Sequence, residues 1–171
     1  MSIFLLACDP VGESLTDGKA SEERLPTQES WNPVIRINSV GKENVQARAA
    51  YSAHYEDPRE ILFIGKVRLD FFDLDGAHSS IMTADTGRID EASHLFTARG
   101  NVFVESDSGM TLATSILYWH ENKQLIYTDQ QIVLTTLTDT LFGVGFESDA
   151  NLENWTITQP TGVSYREFEN E

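Results

Sequence analysis

The stretch LFTARGNVFVESDSGMTLATSILYWHENKQLIYTDQQIVL, residues 95–134, decides the fold class. Phe96, Ala98, Gly100, Val102 and Val104 alternate with Thr97, Arg99, Asn101 and Glu105, the period-two pattern of a strand with one buried face. Ser106-Asp107-Ser108-Gly109 supplies the residues of a turn. Met110, Leu112, Thr114, Ile116 and Tyr118 continue as an even-numbered apolar face, and Glu121-Asn122-Lys123 turns the chain again. Short strands punctuated this regularly predict an all-β sandwich, roll or barrel. No helical pattern of about 10–15 residues lies between the strands, which argues against a parallel α/β sheet.

The same period extends outward in both directions. In residues 61–71 the positions Ile61, Phe63, Val67, Leu69 and Phe71 are apolar while Lys66, Arg68 and Asp70 point the other way. Together with the even face of Ala98, Val102, Val104, Leu112 and Ile116, they are the expected inward set. Asp73-Leu74-Asp75-Gly76 reads as a tight turn, and Ser80–Ala84 and Thr86–Asp90 as two weaker strands. The Ala-rich segment Glu43–Tyr55 fits either a helix start or a strand. Downstream, Leu141–Phe146 reads as a strand, Glu147–Asn154 as an acidic turn, and Trp155–Thr158 as a last strand closed by Gln-Pro-Thr-Gly. Gly143 and Gly145 mark either a bend or bulge in their strand or a groove wall kept clear of side chains. Trp119 and Trp155 are expected to plug the core.

At 171 residues the chain is expected to form one domain with a sizeable core. Its net charge of −15 excludes nucleic acid as a partner, because no basic field attracts phosphate. The same charge opposes tight headgroup binding, so an anionic lipid would have to be held by its acyl chains. His54, His78, His94 and His120 are scattered, and no metal site or cofactor is expected. Asp73-x-Asp75-Gly76 is too short for a calcium loop. Glu147-Ser148-Asp149 reads as a self-bonded turn rather than a catalytic carboxylate pair, and the chain as a non-enzyme.

A single cysteine excludes an internal disulfide framework. Leu5-Leu6-Ala7-Cys8 matches a bacterial lipobox, which would make Cys8 a lipidation site and residues 1–8 a truncated signal segment. An incidental cysteine in a short apolar N-terminus is the plain alternative. Residues 9–33, with Pro10, Gly12, Gly18, Pro26 and Pro33 and little periodicity, read as a flexible linker ahead of a domain over 34–167. No apolar run approaches the ~20 residues that span a bilayer.

Several pieces of the sequence resemble the LptC family, the lipopolysaccharide export component, and the wider OstA-like β-jelly-roll group. They are Ala-Arg-Gly-Asn-Val at 98–102, Gly109 with Leu112, Leu117-Tyr118-Trp119, Ile126-Tyr127-Thr128-Asp129, Gly143-x-Gly145-Phe146-Glu147-Ser148-Asp149, Asn151-Leu152 and Trp155. The resemblance covers about residues 45–165 and tips Glu43–Tyr55 toward strand. It implies a single antiparallel jelly roll with open edges and a V-shaped groove between two sheets. It further implies that Phe63, Val67, Leu69, Phe71, Val102, Val104, Leu112 and Ile116 line a lipid groove. An edge near Gly143, Gly145, Phe146 and Ile157 would then meet the next module. The implied partners are lipopolysaccharide, an inner-membrane ABC transporter and a periplasmic bridge protein of the same fold. Acylated Cys8 would hold the chain at the periplasmic face of the inner membrane, with Asp9 resembling a retention signal. The rival expectation is a lipoprotein β-domain that acts as an interaction module and carries no lipid.

Overall fold

The computed structural model describes residues 24–39, 42–73 and 75–165; Cys8 and most of the expected linker lie outside them. Eleven strands follow in order: β1 Gln28–Trp31, β2 Val34–Ser39, β3 Lys42–Arg48, β4 Tyr51–Glu56, β5 Arg59–Phe72, β6 His78–Asp90, β7 Leu95–Ser106, β8 Thr111–His120, β9 Leu125–Thr135, β10 Asp139–Ser148 and β11 Thr156–Tyr165. Among the described residues the sole helical element is the three-residue turn Glu121–Lys123. Ala-rich Glu43–Tyr55 is strand in β3 and β4, apart from Ala49 and Ala50 between them.

All pairings are antiparallel, and they join every strand into one open sheet in the order β1-β4-β5-β6-β7-β8-β9-β10-β11. A branch, β2-β3, pairs with the far half of β5. The expected two sheets are therefore two halves of one sheet, divided by a line of bulges through the middle of β5 to β10. The register breaks between Ile64 and Val67, Thr83 and Thr86, Arg99 and Val102, Thr114 and Tyr118, and Val144 and Phe146. Across the line β5, β7 and β9 each hold one residue more than their neighbours, which bends the sheet and raises its local twist. Several crease residues have left-handed backbone: Gly65 and Lys66, Gly100 and Asn101, and Gly145. Gly100 is required there, because a Cβ would lie 2.4 Å from the Asp85 carboxylate that also accepts a hydrogen bond from Asn101. The crease separates layer A, which carries β1 and β4, from layer B, which carries β2 and β3.

Between the layers lies one apolar core. In layer B a cross-strand row runs Ile35, Ala47, Leu69, Met82, Val104, Leu112, Leu134 and Leu141. In layer A the matching row runs Ile61, Ile89, Phe96, Trp119 and Ile126. Trp119 is buried, and Trp155 is half-buried against the same cluster.

Four details depart from the reading of the sequence. Ile116 is not inward: the bulge after Thr114 shifts parity, so Leu117 and Trp119 are buried and Ile116 is half-exposed. Ser80–Ala84 and Thr86–Asp90 are one strand, broken only by the crease at Asp85. Gln-Pro-Thr-Gly does not close the last strand, since β11 continues through Pro160 with a bulge opposite Phe142 and Gly143. Proline is tolerated because β11 is an edge, where a missing N–H breaks no ladder. Finally, a paired strand precedes Val34. Gln28–Trp31 pairs with β4, and Arg24 lies 4.0 Å over the Tyr55 ring while bonding Glu60 and the Pro58 carbonyl.

Candidate functional site

Seven of the eight groove candidates, Phe63, Val67, Leu69, Phe71, Val102, Val104 and Leu112, converge in the core, each no more than 2% exposed. They share one surface, but that surface is packed rather than open. The layers meet at Phe71 and Trp119, whose rings stand edge to face at 5.5 Å.

Toward the N-terminal side the layers part. There β2 of layer B overhangs the rim of layer A, and Ile35, Ile37, Ile61 and Ile89 line a slot of about 470 Å³. All four isoleucines are half-buried and pack on the core cluster, so the slot is the exposed end of the interior. Its rim is charged: Arg59 pairs with Glu91 at 3.4 Å and His94 with Glu121 at 3.2 Å, and Arg36 stands beside them. A second hollow of about 330 Å³ shares Ile35 and Ile61 and adds Gln28, Ser30, Pro33, Val34, Ser52 and His54. The combined opening is apolar at its floor and polar at its lips, the arrangement of a site for an amphiphile. Of these isoleucines the inward set expected from the sequence contains Ile61 alone. The alternation Val34-Ile35-Arg36-Ile37 carries the signal for two others, while Ile89 shares odd parity with Gly87 beyond the crease, where the even parity of Ser80, Met82 and Ala84 no longer holds.

A third depression, about 530 Å³, lies on the outer face of layer B around Ala113, Gln131, Val133 and Phe142. Its base is a single sheet backed by the core, so it has no path into the interior.

The partner-edge candidates divide. β10 pairs on both sides, with β9 and β11, so Gly143, Gly145 and Phe146 present no free backbone edge, and Phe146 is buried. The glycines serve β11 docking. A Cβ on Gly143 would meet Ile157 at 2.4 Å, and Gly145, at φ +78°, has Thr158 against it. Gly143 thus leaves no empty groove wall, because Ile157 fills the space. Ile157 does lie on the last strand, β11, which among the described residues pairs on one side alone, as do β1 and β2 at the other end of the sheet.

Two carboxylates are buried on the outer faces. Burial pushes the Asp70 carboxyl up, but hydrogen bonds from Arg68 and the charges of Arg68, Arg48 and His78 outweigh it and hold the pKa below the ordinary 3.8. Glu60 behaves alike: burial opposes ionisation, while Arg24 and Arg88 hold the pKa below 4.5. Both are saturated by arginines and stitch neighbouring strands; neither faces the slot. Among the described residues no three His, Cys, Asp or Glu side chains converge as metal ligands, and no helix is long and apolar enough to cross a membrane.

The family described as lipopolysaccharide-assembly, LptC-related matches residues 32–165. Among solved structures the chain is similar to LptH, the LptA-homologous periplasmic component of the conserved lipopolysaccharide transport device from Pseudomonas aeruginosa. The TM-score is 0.51 at 10% identity, over 72% of this chain and 94% of that one. At such identity the likeness concerns the fold. No curated protein matches the chain.

Proposed function

The chain belongs to the LptC-related lipopolysaccharide-assembly family, and from that membership we propose that it carries lipopolysaccharide by its acyl chains between the two layers of its jelly roll. Family membership supports a role in lipopolysaccharide transport, and the fold shared with a periplasmic transport component fits it. The observation that carries the finer reading is the slot of Ile35, Ile37, Ile61 and Ile89, which opens to solvent and leads into an interior built of apolar side chains. Burying each methylene contributes about 0.8 kcal/mol, so a many-chained lipid is held without charge complementarity. An acidic protein that binds an anionic lipid needs that route.

In this reading the cargo arrives from an inner-membrane ABC transporter, which supplies the energy, and leaves to a periplasmic bridge protein of the same fold. Strand addition at β11 would join the modules, since an edge offers unpaired backbone groups. Acylation of Cys8 would anchor the chain at the periplasmic face of the inner membrane.

A second reading, a protein-interaction module without lipid cargo, is favoured by the packing of the seven core candidates. One experiment separates the two. Photo-crosslinkers at Ile37 and Ile89 capture lipopolysaccharide in the cargo reading, whereas one at Val133 on the outer face does not. Equal capture at all three positions, or none in a folded protein, favours the interaction module.

A further inference from the structure

Residues 149–155, which link β10 to β11, do more than reverse the chain. Asp149 braces them by accepting the N–H of Glu153 at 2.8 Å and of Asn154 at 3.3 Å through Oδ1, and the Asn154 amide at 2.6 Å through Oδ2. Leu152 donates its N–H to the Asp149 carbonyl at 3.3 Å. From this frame Leu152 enters the core cluster, fully buried, with φ at +62°. A branched residue holds left-handed backbone only where its surroundings over-determine it, and such strain concentrates at sites that switch or clamp.

The segment also crosses the mouth between the layers. It leaves layer A at Ser148, yet the Ala150 carbonyl accepts a 2.6 Å hydrogen bond from the Ser80 hydroxyl on β6 of layer B. Ser80 is itself fully buried. Along the rim β2 overhangs the open slot, Phe71 on β5 covers Trp119, and β6 is tied down to residue 150. One end of the interior is open and the other is stoppered.

We infer that residues 149–155 are a plug, with Leu152 as its stopper and Ser80–Ala150 as its latch, that must swing out before an acyl chain occupies the interior. The inference rests on the lipid-cargo reading. No strand pairing depends on the latch, so the plug can move while the sheet stays intact. The segment lies directly before β11, and strand addition there would pull on the latch. That links release of the stopper to docking of the next module.

Spin labels on cysteines at the exposed positions Ser108 and Glu153, in a Cys8→Ser background, report the mouth directly. Addition of lipid A is expected to move their distance distribution to longer values while lipid A co-elutes with the protein. An unchanged distribution with lipid A bound overturns the plug and leaves the cargo reading standing. Failure of lipid A to co-elute removes both. Independently, Ser80→Ala and Leu152→Ala are expected to speed uptake of a fluorescent acyl probe several-fold. Ser80→Ala, which removes one hydroxyl, serves where Leu152→Ala fails to fold. Uptake at the original rate in folded variants overturns the proposal.

Discussion

Phe71 and Trp119 lie three strands apart in one sheet, yet their rings meet edge to face at 5.5 Å because the crease folds one half of the sheet onto the other. This contact, with the Ser80–Ala150 hydrogen bond beside it, closes the middle of the mouth and leaves the isoleucine slot to one side.

Truncating Trp119 to Ala is expected to cost about 3–5 kcal/mol, the range for a buried aromatic. In a double-mutant cycle with Phe71→Leu the two should couple by about 0.5–1.5 kcal/mol. Urea unfolding of the four proteins measures it, and zero coupling would mean that the layers part at this point in solution.

The crease should be the least tolerant part of the backbone. Gly100→Val forces a β-branched residue to φ +77° and drives its Cβ toward Asp85, so it should cost at least about 1–3 kcal/mol. Gly76→Ala, at φ +85° in the turn after β5 with open space around it, should cost less, since it carries the backbone strain without a clash. Thermal unfolding ranks the pair.

Stability should fall in acid. Asp70 and Glu60 both have folded-state pKa values below their ordinary ones, so each contributes stability above the unfolded pKa. That contribution is lost as pH drops through the folded value, a decline starting at about pH 5. Asp70→Asn should destabilise the protein by about 1–3 kcal/mol at neutral pH, since it breaks charge-assisted bonds to Arg48 and Arg68. It should also flatten the acid limb of a pH–stability curve measured by chemical unfolding. An unchanged acid limb would show that other carboxylates set it.

Ile37→Asp and Ile89→Asp should weaken binding of lipid A by about tenfold or more, because excluding one apolar side chain from contact forfeits about 1.5–3 kcal/mol and 1.4 kcal/mol is tenfold. Val133→Asp, on the outer face, should leave it unchanged. Titration with a fluorescent lipid A distinguishes them.

At the C-terminal edge, Val163→Lys should leave folding within about 0.5 kcal/mol, because Val163 is exposed. A lysine on an edge strand discourages strand addition, so pull-down of a bridge protein of the same fold should drop. Retained pull-down would move the outgoing contact to β1 or β2.

Alternation along the chain by itself determined the all-β class and the inward faces of β5 and β7. Those strands carry paired crease residues, Gly65–Lys66 and Gly100–Asn101, that pass through the bend and return the next residue to the same face. Phe63 and Val67, or Ala98 and Val102, therefore keep one parity. In β6, β8 and β10 the crease changes parity, and a local pattern cannot say where, because a bulge is set by the register of two neighbouring strands. That is why the alternation points to Ile116 while Leu117 takes the inward place. The tertiary structure alone decided that two layers are one sheet, that the expected groove is packed, and that the accessible slot lies under β2. It alone also took Leu152 out of an acidic turn and into the core. Each of these depends on contacts between residues far apart in the chain, whose energy no local period records.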